Sequence, residues 1–236
     1  MSEVARPEHR WVAPGTLIAA LAVLFCVMAV LAGTIGTLPW DEATTRFVQR
    51  AHGGLPKAAM YLGNAMGSTA WAIGFSLFVL IGLVALRWSR DVWFLLVVML
   101  LRLLALAIKG IIRSSRPTEL QATLRETFTG YGFPSGHTLT ATLVYGCLAF
   151  LAVRHVKGSQ VVPVVGAIWI LGVSLTAFAR IWSGAHWASD VIGAVVLGVL
   201  IVLVAANVSA WIIRHRRKRQ LDTGRDIEPS STLPEG

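Results

Sequence analysis

The sequence predicts an all-α fold, a bundle of six helices embedded in a membrane, and two observations lead to that prediction. Of the 236 residues, 55% are hydrophobic and only 14% are charged. That is more apolar surface than a single water-soluble core of this size can bury. The apolar residues are also gathered into long runs, and a bilayer core takes about 20 such residues for each helical span.

Six apolar runs are candidate membrane spans. In chain order they cover residues 13–38, 70–86, 92–112, 136–153, 161–181 and 187–213. The first run has features of a cleaved signal peptide, because Arg6 and Arg10 precede it and small residues occur near Ala32. Its apolar part is longer than such peptides carry, which favours a retained helix.

The segment between the first two spans is mixed in character. Asp41, Glu42, Arg46 and Arg50 are spaced as on a helix, with apolar residues between them. Either an amphipathic helix at the membrane surface or an ordinary outer loop fits residues 39–67.

One membrane domain is therefore expected over residues 13–214. A cytoplasmic N-terminal tail covers residues 1–12, and a basic, then polar and disordered cytoplasmic tail covers residues 215–236. If the spans alternate, the basic residues of both tails fall on the same side as the pairs Arg87 with Arg90 and Arg154 with Lys157. The positive-inside rule assigns that side to the cytoplasm. Both termini are then cytoplasmic in a multi-pass plasma-membrane protein. Several tryptophans near the ends of runs are expected in an interfacial belt: Trp11, Trp40, Trp71, Trp88, Trp182 and Trp187.

The net charge of +9 raises the question of nucleic-acid binding. The basic residues are scattered in short groups between apolar runs and do not form one continuous face, so nucleic acid is not an expected partner. Anionic lipid headgroups are the expected neighbours.

Three polar stretches stand at the ends of apolar runs, all on the predicted outer face. They read KGIIRSSRP from residue 109, PSGH from residue 134 and ARIWSGAHWASD from residue 179. Chemistry on a phosphate needs positive charge around the oxygens, a nucleophile, and an acid for the leaving group. The stretches supply such groups: Lys109, Arg116, Arg180, His137, His186 and Asp190.

Each piece also has a simpler interpretation. Cations at a membrane surface extend their heads to water without further function, and Ser135 with Gly136 can be a helix cap whose first turn attracts an anion. The spacing of His186 and Asp190 puts both side chains on one helix face. That pair can orient a nucleophilic imidazole, act as a structural pair, or form half of a metal site. No cluster of further ligands accompanies it, so no metal is expected.

Together the stretches resemble the three-part signature of the type 2 phosphatidic acid phosphatase family, KxxxxxxRP, PSGH and SRxxxxxHxxxD. The spacing and order match from Lys109 to Asp190, and Ala179 stands where the pattern has serine. The hydroxyl of that serine could form one neutral hydrogen bond, worth about 0.5 to 1.5 kcal/mol. Its absence is therefore expected to change the activity without abolishing it.

The resemblance implies hydrolysis of a lipid phosphate or diphosphate without a metal or other cofactor, through a phosphohistidine intermediate. In it, His186 attacks phosphorus, Asp190 orients His186, and His137 protonates the leaving oxygen. The phosphoryl oxygens would be held by Lys109, Arg116, Ser135, Gly136 and Arg180. Family members act on phosphatidic acid, phosphatidylglycerol phosphate and polyprenyl diphosphates, and the compact build favours recycling of undecaprenyl diphosphate on the outer face.

Two other functions stay open at this point. A lipid-binding or scrambling protein could keep the scaffold without turnover, and vanadate-dependent peroxidation uses a similar anion cage in related soluble enzymes. Arg102, two turns before Lys109, is a charge inside a predicted span. It is expected to line the lower wall of the site, behind the residues that touch the phosphate, or to pair with a polar group inside the bundle. The simpler alternative is that its side chain extends to the membrane surface without further function.

Overall fold

The computed structural model describes residues 13–225, and all regular elements within this range are α-helices. In chain order they are α1 (Gly15–Thr34), α2 (Asp41–Val48), α3 (Gly54–Met66), α4 (Thr69–Ala85), α5 (Ser89–Ile112), α6 (Gly136–His155), α7 (Val161–Trp182) and α8 (Ala188–Arg225). The all-α prediction is confirmed. The N-terminal tail expected over residues 1–12 lies outside the described residues.

Five helices are long and apolar enough to cross a membrane: α1, α5, α6, α7 and α8. A sixth crossing is formed if α3 and α4, which meet at an angle of 51°, are counted as one bent span. Outward-facing side chains on these helices are apolar, and Phe78 on α4 is 77% exposed. A surface of this kind is suited to lipid and not to water.

The segment before α4 contains two helices, whereas the sequence left a choice between one surface helix and a loop. α3 packs tightly against α7, and a Cβ added at Gly63 would overlap the carbonyl oxygen of Leu175. A glycine here removes the side chain that would hold the two backbones apart. The segment is therefore part of the bundle and supplies one wall of the site described below.

The core of the bundle is formed around α8, which packs against α1, α5 and α6. Phe25 of α1 is buried in this core, and its ring stacks on Phe133 with centroids 5.7 Å apart. Phe133 lies just before α6 and also fills the space above Gly193 of α8. α1 thus packs into the bundle together with α8.

The start of α5 and the end of α6 meet at one end of the bundle. Asp91 is buried and lies 3.2 Å from Arg154 Nε and 2.8 Å from His155 Nε2, and the His155 ring stacks on Trp88. Antiparallel neighbours in a bundle produce this arrangement. The three phosphate-related stretches lie at the opposite end of these helices.

Two sequence-based expectations are wrong in the described region. α8 continues to Arg225, so residues 216–225 are helical and not disordered. The run of Arg, Lys, Gln and Leu consists of good helix formers, and extending an existing helix needs no new nucleus. Trp182 and Trp187 are buried, at 6% and 0% exposure, and do not belong to an interfacial belt.

Candidate active site

The turn between α7 and α8 carries the third polar stretch. α7 ends at Trp182, and Gly184 then adopts a φ of +76°, where a Cβ would lie 2.6 Å from the carbonyl oxygen of Thr123. The N–H groups of Ala185 and His186 both donate to the Arg180 carbonyl, at 3.0 and 3.2 Å. Glycine is needed at the turn, and the turn presents His186 just before α8 begins.

His186 and Asp190 form the pair that their spacing predicts. His186 Nδ1 lies 3.1 Å from Asp190 Oδ2, and the same oxygen accepts the Trp187 N–H at 3.1 Å. Both side chains are almost fully buried. A carboxylate accepts the ring N–H, so the proton is assigned to Nδ1 and Nε2 keeps a free lone pair.

Arg116 lies against that free nitrogen. Its Nη1 is 3.2 Å from His186 Nε2 and also donates to the Ala185 carbonyl, while its Nε donates to the Gly130 carbonyl at 2.9 Å. Backbone carbonyls from two segments therefore fix the guanidinium. The arrangement places a permanent cation next to the one imidazole nitrogen able to act as a nucleophile.

Lys109, in the last turn of α5, is fixed in a similar way. Its Nζ donates to the carbonyls of Gly132 at 3.2 Å and Pro134 at 3.3 Å, both just before α6. Carbonyl oxygens orient the ammonium without neutralising its charge. One further donor of the ammonium is left for a ligand.

Arg180 is buried near the end of α7 and is oriented by two residues from other segments. Its Nη1 donates to Asn64 Oδ1 at 2.7 Å and lies 3.9 Å from Glu126 Oε2. Its Nε is buried without a hydrogen-bond partner among the described residues. The guanidinia of Arg116 and Arg180 both stand over the Phe128 ring, at 5.7 and 5.1 Å from its centre.

The start of α6 contributes the second polar stretch. Ser135 is fully buried, its N–H donates to the Asp190 carbonyl at 3.1 Å, and its hydroxyl accepts from Thr138 at 3.1 Å. Ser135 stands at the N-cap position of α6, but its side chain forms no capping hydrogen bond, because the hydroxyl contacts Thr138 instead. Gly136 is exposed, and no neighbouring atom lies within 4 Å of a Cβ added there. The first-turn N–H groups have no intrahelical acceptor.

The electrostatic surroundings keep His186 neutral. Burial is the main cause that lowers the pKa of His186 well below its ordinary value, and the positive charges of Arg116, Lys109 and Arg180 act in the same direction, followed by His137. Removing an imidazolium from water costs free energy, and nearby cations increase that cost. His137, at the start of α6, is thus within electrostatic range of His186.

The structure therefore brings the three stretches together at one end of the bundle. It also contains site residues that the sequence did not indicate. Asn64 and Glu126 hold Arg180, and Phe128 lies under two guanidinia. Asp41 of α2 is fully buried and accepts hydrogen bonds from the N–H and hydroxyl of Ser189, at 2.9 and 2.7 Å, next to Asp190.

Two other residues that the sequence singled out form contacts elsewhere in the bundle. Arg102 donates to Thr140 Oγ1 at 3.2 Å, so it pairs with a polar group inside the bundle. Ala179 packs with Met60 and Trp182 in an apolar cluster between α3 and α7. A serine at this position would therefore direct its hydroxyl toward α3.

Comparisons with known proteins agree on one family. The model of the PAP2 superfamily matches residues 90–214. The chain is 27% identical over 190 residues to phosphatidylglycerophosphatase B of Bacillus subtilis (strain 168). The matched region covers 74% of this chain and 91% of that protein.

Two solved structures share the fold. The crystal structure of a transmembrane PAP2 type phosphatidylglycerolphosphate phosphatase from Bacillus subtilis superposes with a TM-score of 0.72 at 24% identity, covering 83% of this chain and 96% of that one. The crystal structure of Aquifex aeolicus LpxE superposes with a TM-score of 0.53 at 25% identity, and the match covers 73% of this chain and 96% of that one.

Proposed function

Since this chain belongs to the PAP2 superfamily and is a membrane phosphatase, we propose that it removes the terminal phosphate of a lipid through a phosphohistidine on His186. The observation that carries the proposal is the free Nε2 of a neutral, buried imidazole with a guanidinium 3.2 Å away. A nucleophile and a site of positive charge thus meet at one point, which is the requirement for attack on a phosphate anion.

In the first step, the His186 Nε2 lone pair attacks phosphorus and the bond from phosphorus to the lipid oxygen breaks. His137 gives its proton to that leaving oxygen. Asp190 holds Nδ1–H and stabilises the positive charge that develops on the His186 ring. The products of this step are a lipid alcohol, or a lipid monophosphate from a diphosphate, and a phosphorylated His186.

In the second step, water attacks the phosphohistidine while His137 takes its proton. The phosphorus–nitrogen bond breaks, which releases inorganic phosphate and restores the neutral His186 ring. The same imidazole therefore acts first as an acid and then as a base.

The phosphoryl oxygens are held by the groups around Nε2. Arg116 transfers its Nη1 hydrogen bond from His186 to the incoming phosphate, Lys109 offers its remaining donor, and Arg180 offers its unpaired Nε. The first turn of α6, at Gly136, adds backbone N–H groups and the helix dipole. Fixed donors of this kind stabilise charge on the equatorial oxygens of the transition state. Buried Ser135 orients this turn and contacts Asp190 through its backbone.

These charges come from the chain itself, and on that ground we propose a reaction that needs no metal. Residues 13–225 contain no group of three His, Cys, Asp or Glu side chains placed to hold an ion. Activity in a chelator is the corresponding test, and loss of turnover that magnesium restores would contradict it.

The substrate that we put first is phosphatidylglycerol phosphate. The support is the 27% identity to a phosphatidylglycerophosphatase over most of both chains. Phosphatidic acid and undecaprenyl diphosphate, the substrate favoured by the compact build, belong in the same test. Placement of the site where apolar helices end suits a lipid, whose phosphate reaches the pocket while its tail stays in the bilayer.

We also propose that the site faces the outside. The end of α6 that meets α5 at Asp91 carries Arg154 and is followed by Lys157, and the positive-inside rule places these cations in the cytoplasm. Impermeant thiol labelling of a cysteine introduced at exposed Leu120, in intact cells, tests this orientation. Labelling that occurs only after the cells are permeabilised would place the site on the cytoplasmic side.

The decisive test of the function is phosphate release from these three lipids, in detergent with chelator, by wild type and His186→Ala. We expect release by wild type and none by the variant. Lipid binding by wild type without turnover over long incubation would contradict the proposal and favour the non-catalytic alternative.

A further inference from the structure

Arg102 is a cation inside α5 that the proposed mechanism does not use. It is partly exposed, and its hydrogen bond goes to the neutral hydroxyl of Thr140. No carboxylate of the described residues forms an ion pair with it. A charge in the apolar part of a membrane helix is costly and marks a functional position by default. Its remaining donors are available to an anion.

The position of Arg102 along the helix relates it to the pocket. Arg102 lies seven residues, or two turns, before Lys109, so both side chains project from the same face of α5. With a rise of about 1.5 Å per residue, Arg102 starts roughly 10 Å deeper in the membrane than Lys109. Its long side chain ends at Thr140 of α6.

Thr140 gives the depth of the guanidinium. It follows His137 by three residues on α6, which places it roughly 4.5 Å deeper than His137 by helical rise. The guanidinium of Arg102 therefore lies on the bilayer side of His137. A lipid whose leaving oxygen is protonated by His137 and whose tail stays in the bilayer extends to this depth.

We propose that Arg102 and Thr140 bind a second phosphate of the lipid, on the bilayer side of the phosphate that is removed. This inference rests on the proposed function. In phosphatidylglycerol phosphate the second group is the phosphodiester beyond the glycerol, and in a polyprenyl diphosphate it is the inner phosphate. Phosphatidic acid has no such group. A planar guanidinium matches the oxygens of either phosphate.

A second phosphate would also remove the electrostatic cost of Arg102. In the apolar part of the bundle a cation and an anion attract each other more strongly than in water. Arg102 is thus a specificity-determining residue, which favours lipids with two phosphates over lipids with one.

The test compares kcat/KM for phosphatidic acid, phosphatidylglycerol phosphate and a polyprenyl diphosphate in wild type, Arg102→Met and Arg102→Lys. We expect Arg102→Met to lose about tenfold or more on at least one of the two-phosphate lipids, the value of a charged hydrogen bond. Activity on phosphatidic acid stays within about twofold. Arg102→Lys keeps most of the preference because it keeps the charge.

Thr140→Val and Thr142→Val form a matched pair of controls. Thr142 lies on the same helix but donates to the Thr138 carbonyl and not to Arg102. We expect Thr140→Val to reduce the preference for two-phosphate lipids and Thr142→Val to leave it unchanged. This pair decides the question if Arg102→Met does not fold, as judged by its melting temperature in detergent.

The pattern of loss identifies the group that is bound. A loss of kcat/KM confined to phosphatidylglycerol phosphate means that the site binds a phosphodiester. A loss confined to the diphosphate means that it binds the inner phosphate. Losses on both lipids mean that it accepts both anions. An unchanged preference in folded Arg102→Met, or an equal loss on phosphatidic acid, overturns the inference alone. A wild-type protein that releases phosphate from none of the lipids overturns the proposed function as well.

Discussion

Gly132 and Asp190 approach each other so closely that a Cβ added at Gly132 would lie 2.9 Å from Asp190 Oδ2. The same Cβ would be 2.9 Å from the Ser115 carbonyl, so it has little room to move away. Asp190 Oδ2 is the oxygen that contacts His186 Nδ1. The backbone before α6 thus sets the position of the carboxylate that orients the imidazole.

Two glycine substitutions in this region are predicted to separate positioning from phosphate binding. Gly132→Ala displaces Asp190, so we expect kcat to fall about tenfold or more and the melting temperature to fall. In Gly136→Ala the added methyl group meets no protein atom, so the melting temperature is kept, while KM rises because the methyl group occupies the space for the phosphate. Steady-state kinetics and melting curves test both. A KM for Gly136→Ala equal to that of wild type would remove Gly136 from the phosphate site.

Two buried carboxylates near the start of α8, Asp190 of α8 and Asp41 of α2, are predicted to differ in role. Asp190→Asn replaces a carboxylate oxygen by an NH2 group that donates to the His186 ring and favours the other tautomer, so we expect kcat to fall by about 100-fold or more. Asp41→Asn weakens the hydrogen bonds to Ser189, so we expect mainly a loss of stability, about 1 to 3 kcal/mol. Comparable effects of the two variants on kcat, in folded protein, would show that Asp190 has no special relation to His186.

The neutral state of buried His186 predicts how stability depends on pH. The pKa of His186 is lowered in the folded chain, whereas the unfolded chain has a pKa of about 6.5. As the pH falls below about 6.5, the unfolded state binds a proton that the folded state does not, so the free energy of unfolding falls. Between about pH 6.5 and pH 5.5 we expect wild type to lose about 1 kcal/mol more than His186→Gln.

Melting temperatures in detergent across this pH range, for wild type and His186→Gln, provide the measurement. The comparison isolates His186, since the other histidines are the same in both proteins. Parallel curves would mean that the imidazole gains a proton in the folded chain as easily as in the unfolded one.

Ala179→Ser restores the serine of the family signature and is predicted to change little. The methyl group of Ala179 packs toward α3, beside Met60, and an added hydroxyl can bond to the backbone of the preceding turn. We expect kcat/KM within about threefold of wild type. Arg180→Lys, at the next residue, is the contrasting variant and should lose about tenfold or more, because the planar fork is lost. A large gain in Ala179→Ser would place its hydroxyl on the phosphate.

The helices that carry the site could be predicted from the sequence because each depends on local pattern. Uninterrupted apolar runs determine the spans. The contact of His186 with Asp190 follows from their four-residue spacing, with His186 just before α8 and Asp190 in its first turn. The bend between α3 and α4 and the continuation of α8 could not be predicted in this way. The bend depends on the packing of α3 against α7, which is a tertiary contact. The continuation of α8 depends on the preceding turns of the same helix, which can be extended without a new nucleus.

The residues that hold the cations in place could not be predicted from the sequence, for a different reason. Asn64 is 116 residues from Arg180 and 62 from Glu126 along the chain, so no local spacing relates them. Ser135 illustrates the opposite error. The local capping rule predicts that its hydroxyl caps α6, but the fold buries the side chain and pairs it with Thr138.

The most direct test of the central claim is to look for phosphate on His186 itself. Wild type and His186→Ala are mixed with a lipid carrying a labelled terminal phosphate, quenched under alkaline conditions that preserve phosphohistidine, and mapped by mass spectrometry. We predict label on His186 in wild type, formed before free phosphate appears, and neither label nor turnover in the variant. Steady turnover by wild type with His186 unlabelled, together with turnover by His186→Ala, would contradict the mechanism.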